Sequence, residues 1–239
     1  MPKNKISEFD RHRLTPPITI EKLDQHTRKR LALISKEFTK GYALIRKYKK
    51  SVSIFGSSTL SKNNPYCKKA TRLAAAIAKA GYAIITGGGP GIMEAANKGA
   101  FAAGGASIGL NIKLPHEQQL NKYLTDQMEF HYFFSRKVML AFAAEAYLFF
   151  PGGYGTLDEF FEIVTLVQTN RMSKVPMILV GKKFWQPMNA LIKEGLLAAF
   201  HTIDPHDPKL YYIEDNEKKI LKIIKSAPII EDIPFNLKF

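Results

Sequence analysis

A single cysteine, Cys67, stands in 239 residues, so no internal disulfide can form and the chain suits a reducing compartment. No apolar run reaches the ~18–20 residues that a membrane-spanning helix requires. The opening segment MPKNKISEFDRHRLTPP lacks the apolar core of a secretory signal. Together these absences lead to the expectation of a cytoplasmic protein with no membrane partner. The fixed-spacing nucleotide motifs are missing too. There is no GxxxxGK[ST], and GxGxxG fails because Glu94 occupies the third glycine position after Gly89 and Gly91. No acid ends the run SIGLNI (107–112), where an NAD enzyme commonly holds the ribose hydroxyls. These gaps argue against an ATPase and against an NAD enzyme. The stretch HTIDPHDP (201–208) carries His and Asp, but its prolines read as a turn and its spacing is loose for a metal, so none is expected.

What is present is ordinary in bulk and uneven in charge. Hydrophobic residues at 46% and charged residues at 23% suit a globular domain, and the length accommodates one large α/β unit. The net charge is +14, and residues 1–50 hold 14 Lys and Arg against 5 Asp and Glu. Such an arm can attract nucleic acid or an anionic surface. Its pattern favours a different reading. Leu23, Thr27, Leu31, Ile34, Phe38, Tyr42 and Ile45 recur every three to four residues, an apolar stripe that predicts an amphipathic helix docked on the rest. The boundary falls near residue 50, giving an extension over 1–50 and a main domain over 51–239.

Beyond that boundary, strand-like and helix-like runs alternate. SVSIFGSS (51–58), YAIITGGG (82–89), ASIGLNI (106–112), the stretch near MEFHYF (128–133), AYLFF (146–150) and VPMILVG (175–181) read as strands. Helices are expected over 64–82, with Cys67, Ala70, Leu73, Ala74 and Ile77 on one face, and from Pro90 near a first turn. Others are expected over 135–144, 156–169, 184–199 and 216–225. Continuous apolar strands between helices predict a Rossmann-like, doubly wound parallel sheet covered on both faces.

Ligands of such sheets bind beyond the carboxyl ends of the strands. Three small-residue turns lie there: GSS with Gly56 and Ser57, GGGPGIME with Gly88, Gly89, Gly91, Met93 and Glu94, and PGGYGTLDE with Gly152, Gly153, Gly155, Thr156 and Glu159. Glycines admit a ligand close to the backbone, and a following helix start offers unpaired N–H groups to an anion. Three such turns on separate strands point to a phosphate compound, with a mononucleotide preferred.

The segments GGGPGIMEAANKGA, SRK and PGGYGTLDE, in this order, resemble the LOG (Lonely Guy) family, once labelled lysine decarboxylases, over about residues 50–225. The resemblance implies a hydrolase that cleaves the N-glycosidic bond of a nucleoside 5′-monophosphate, of the AMP or cytokinin riboside monophosphate type. Free base and ribose 5-phosphate are the products. It implies Arg136 and Glu159 as the catalytic pair, no cofactor, and a homodimer whose contact involves the helix carrying Phe160, Phe161, Ile163, Val164 and Val167. Plant-type members have Met-His where this chain has Phe133 and Phe134, so the chain looks like a bacterial branch. Decarboxylation would require a Schiff-base lysine on pyridoxal phosphate, and no lysine is marked for it.

The chemistry also follows from the residues. Breaking a base–ribose bond builds positive charge on the sugar. Glu159, expected in the first turn after the phosphate turn, can stabilise that charge or activate water. Arg136, on a helix capped by Ser135, can hold phosphate or ribose. Blander readings stand beside these. Asp158 and Glu159 suit simple complements to a helix dipole, with Asp158 facing solvent. Glu94 fits either ligand binding or the dipole, Met93 either a base or the core, and Lys137 either a ligand or the surface. A binding module that does no chemistry is the alternative to the enzyme.

Overall fold

The computed structural model describes residues 20–113 and 120–227. Helix α1 spans Ile20–Ile45. Strand β1 (Ser51–Phe55), helix α2 (Pro65–Lys79), strand β2 (Ala83–Thr86), helix α3 (Ile92–Ala102) and strand β3 (Ser107–Ile112) follow. Next come β4 (Asp126–Phe130), α4 (Phe133–Ala141), β5 (Ala146–Phe149), α5 (Tyr154–Gln168), β6 (Met177–Leu179), α6 (Lys182–Ala190), β7 (Tyr211–Ile213) and α7 (Glu217–Lys225). The seven strands form one sheet in the order β4-β3-β2-β1-β5-β6-β7, and every neighbouring pair is parallel. This is the expected Rossmann-like sheet, with its order reversing between β1 and β5.

Alternate residues of each strand feed two cores, because successive side chains point to opposite faces. Val52, Ile54, Ile84, Leu148 and Phe150 pack with α2, α3 and α7 through Leu73, Ile77, Ile92 and Ile224. Ile85, Leu110, Tyr147, Phe149 and Leu179 pack on the opposite face with Met139 of α4, Phe160 and Ile163 of α5, and Trp185 of α6. Cys67, Ala70, Leu73, Ala74 and Ile77 are all buried. Asn64 caps α2 by accepting from the Tyr66 amide at 2.9 Å.

Several expectations shift. Pro90 precedes the cap of α3, which is Gly91, because the turn runs two residues further than the proline signal indicates. The edge strand β7 was not expected: three residues after a proline-rich turn carry too little pattern. α6 continues into a π-helical stretch, Leu191–Ala199. The stripe of α1 docks over its second half only. Phe38, Tyr42, Leu44 and Ile45 join the core, whereas Ile20, Leu23 and Leu31 stay exposed.

Candidate active site

The three small-residue turns are stitched together where the sheet order reverses. The Ser57 amide donates to the Pro151 carbonyl at 3.0 Å, and the Ile92 amide donates to the Ser57 carbonyl at 2.9 Å. Gly56 lies against the Ile92 side chain, and the Ser57 hydroxyl bonds Thr59 at 2.9 Å.

The middle turn is largely committed to protein. The Gly88 amide donates to Thr86 Oγ1 at 2.9 Å. Asn121 Nδ2 donates to the Gly88 and Gly89 carbonyls, both at 3.1 Å, and to Asn97 Oδ1 at 2.9 Å. Both glycines are buried. Gly91 sits against Ser57 and Ser58. Glu94 turns towards Lys62, with the charges 3.3 Å apart, at the wall of a cavity of about 490 Å³ between α2 and α3. That cavity lies on the helix layer opposite α4 and α5.

Gly87, the first glycine of this turn, matters more than its neighbours. A side chain there would occupy the space filled by the Arg136 guanidinium, and Met93 Sδ would stand 2.9 Å from its Cβ. Glycine leaves the arginine room close to the backbone at this point, and a larger residue would displace it. The signal was available as the first of three glycines, but nothing in the spacing said which one faced a side chain.

The third turn opens outward. Gly152 contacts Thr156, while Gly153 and Gly155 border open space. α5 starts at Tyr154 behind Gly153, which supplies no side-chain cap; the Thr156 amide donates to the Gly153 carbonyl at 3.0 Å, and those of Tyr154 and Gly155 lack intrahelical partners. Thr156 is buried beneath them. The expected first-turn position of Glu159 is corrected: α5 begins two residues earlier, and Glu159 is in its second turn.

Glu159 is the chemically unusual group. It is only 4% exposed, and its Oε2 has no hydrogen-bond partner among the described residues. Burial pushes its carboxyl up to about 8, against the pull of the Arg136 charge and with the help of Glu162. Arg136 donates from Nε to the Leu110 carbonyl at 2.7 Å. Burial lowers its guanidinium affinity for protons while Glu159 raises it, and an arginine stays charged throughout. The two residues are electrostatically coupled across α4 and α5.

Lys137 pairs with Asp158 at 2.8 Å and with Glu162 at 3.2 Å. Asp158 faces solvent as expected and also pairs with this lysine. Burial lowers the Lys137 ammonium, but the two carboxylates outweigh it and hold the group above its ordinary value. Ser135 does not cap α4 as expected. The helix begins at Phe133 behind Tyr132, and Ser135 is wholly buried within it, its Oγ without a partner among the described residues. In the turn at 204–207, Asp207 accepts from the Asp204 amide at 2.9 Å and from Gln168.

The family model described as "Possible lysine decarboxylase" matches residues 93–224, more than half of the chain. The chain is 26% identical over 159 residues to a protein of Rhodococcoides fascians named cytokinin riboside 5′-monophosphate phosphoribohydrolase, covering 64% of this chain and 79% of that one. A protein of the same name from Mycobacterium tuberculosis is 28% identical over 162 residues, covering 64% and 82%. The solved structure of a molybdenum cofactor binding protein from Rippkaea orientalis superposes with a TM-score of 0.54 at 23% identity, covering 74% and 94%, which shows a shared fold. One lysine beside Glu159 runs against the old decarboxylase description. A Schiff base needs an unprotonated lysine, whereas Lys137, the lysine coupled to Glu159, is held protonated by two carboxylates. Named for that description but populated by proteins called phosphoribohydrolases, the possible lysine decarboxylase family, the LOG family of the sequence resemblance, is the one to which this chain belongs.

Proposed function

We propose that the protein hydrolyses the N-glycosidic bond of a nucleoside 5′-monophosphate, of the AMP or cytokinin riboside monophosphate type, releasing free base and ribose 5-phosphate. The observation that carries this reading is Glu159: a buried carboxyl with an unpartnered oxygen and a proton affinity raised to about 8, beside a buried arginine. Perturbed, paired groups of this kind at strand ends are what a catalytic centre requires. Gly152, Gly153, Gly155 and Thr156, with Ser57 beside them, hold the phosphate at the start of α5. Arg136 holds the ribose and phosphate and offsets charge near Glu159.

At pH 7 the Glu159 carboxyl rests protonated. As the bond between C1′ and the base nitrogen breaks, its electron pair goes to the base and Glu159 delivers the proton that neutralises it. The carboxylate so formed faces a sugar carrying positive charge, which it stabilises. Water then adds its oxygen to C1′ and returns a proton to Glu159. The relatives' names support the substrate class. Phe133, whose ring lies 5.9 Å from the Arg136 guanidinium carbon, and Phe134 are the aromatic surface beside the arginine for a base. A homodimer belongs to the same proposal, with Phe161 and Tyr154 of α5 exposed for it.

Incubating the protein with each nucleoside monophosphate and assaying free base tests the reading, and nucleosides without the 5′-phosphate should be poor substrates. The exposed basic half of α1 favours a second reading, a module that binds nucleotide or nucleic acid without chemistry. Its mark would be no base release and affinity that falls steeply with salt.

A further inference from the structure

We propose that Glu37 is a positioning residue for Arg136, which makes α1 a working part of the active centre. The inference rests on the reaction proposed above. Helix α4, which carries Arg136, begins with two aromatic residues, and its N-cap Tyr132 makes no side-chain cap of its own. A carboxylate from α1 instead holds the residues just ahead of the helix. Glu37 is buried, and its carboxylate accepts from the His131 amide at 2.5 Å and from the Tyr132 amide at 3.4 Å. Tyr132 is the N-cap and His131 precedes it, so the carboxylate fixes the chain that enters α4 and complements the dipole at the helix start.

Three further contacts fix α1 in the register this contact needs. Gly41 leaves no room for a side chain, since a Cβ would stand 2.6 Å from Met139 Sδ of α4. The Arg30 guanidinium carbon lies 5.4 Å from the Tyr132 ring centre. Beyond the helix, Tyr48 and Lys47 donate to Asp126 at 2.8 and 3.0 Å. Asp126 starts β4 and Glu37 meets its far end, so α1 and its tail bracket the strand that leads into α4. A distant carboxylate also meets the start of α6, one residue further into the helix. There Gly181 supplies no side-chain cap, and Asp215 accepts from the Gly181 and Lys182 amides at 2.8 and 3.0 Å. Arg136 stands one turn into α4, bonded at Nε to Leu110 of β3. A shift of the helix start therefore moves its guanidinium away from Gly87 and Glu159.

The test uses the full chain as wild type, Glu37→Gln, Glu37→Ala, Arg136→Ala and the Glu37→Ala/Arg136→Ala pair. Base release, AMP affinity, melting temperature and hydrogen exchange at amides 131–136 are measured for each. Glu37→Ala should speed exchange at 131–134 about five- to tenfold and lower both AMP affinity and kcat/KM about tenfold. Glu37→Gln, which keeps one acceptor oxygen, should fall between and serves if the alanine variant folds poorly. On the Arg136→Ala background, Glu37→Ala should cost no further affinity, although it lowers the melting temperature as much as before. A purely structural contact would lower the melting temperature and leave affinity and kcat/KM of the folded protein unchanged. That result, unaltered exchange, or additive losses in the double variant would each overturn the proposal. If wild type binds AMP but releases no base, the reaction is wrong and the affinity and exchange arms still decide the role of Glu37. If it neither binds nor cleaves a monophosphate, both proposals fall.

Discussion

At the scale of single residues, Glu159 is held in a form that folding does not favour when ionised. Its ordinary value near 4.5 is raised to about 8 by burial. If the neutral acid starts the reaction, kcat/KM should be flat at neutral pH and fall on the basic side with an apparent value near 8, since that profile reports the free enzyme. A profile still rising through pH 8.5 would assign Glu159 the role of a base from the outset. Stability carries the same sign. Between about pH 4.5 and 8 the unfolded chain loses this proton first, so stability present below 4.5 declines as pH rises through the folded value. Glu159→Gln should therefore be more stable than wild type at pH 8.5, by on the order of a few kcal/mol, and melt higher, with the gap closing at pH 5. Melting curves at the two pH values check this, and a gap that widens at pH 5 would contradict it. Gly87→Ala should leave the fold intact and cut base release at least ~10-fold, because Arg136 occupies the space of the added methyl.

At the scale of elements, α1 divides into a half that is exposed and a half that is part of the core. Deleting residues 1–29 should change the melting temperature by only a few degrees, since Ile20 and Leu23 are exposed. Deleting residues 1–48 removes Phe38, Tyr42 and Leu44 from the core and should lower it by roughly 10 °C or more. Thermal melts of both deletions settle the point, and equal effects would contradict the division. The same helix shows how far the sequence could be read. Its stripe was legible because the 3.6-residue period was unbroken from Leu23 to Ile45. Where docking stopped was not, because period reports a face and not the length of the surface beneath it. Glu37 sits between Lys36 and Lys40, and no local spacing gives it a partner; only the fold brings it to His131. α5 was likewise legible as a helix with an apolar face, but Phe160, Ile163 and Val167 are consumed by the core. Phe161 and Tyr154 are what remain outside. Light scattering that shows a monomer at micromolar concentration would remove the homodimer from the proposal.

At the scale of the whole molecule, the parallel sheet and its reversal between β1 and β5 follow from apolar strands alternating with helices, a pattern strong enough to survive boundary errors of two or three residues. The candidate site was legible in outline for the same reason, since strand ends carry the glycine turns. Which turns stay open was not legible. Gly88 and Gly89 close on Asn121, thirty residues on, whereas Gly153 and Gly155 border open space, and no local spacing separates the two cases. The account as a whole stands on one carboxyl group acting on a ribose phosphate held at the start of α5. The most direct test is single-turnover base release from AMP by wild type and Glu159→Gln, with AMP affinity measured in parallel. The account predicts a rate at least ~10²-fold lower in the variant with affinity nearly unchanged; equal rates in the two proteins would contradict it.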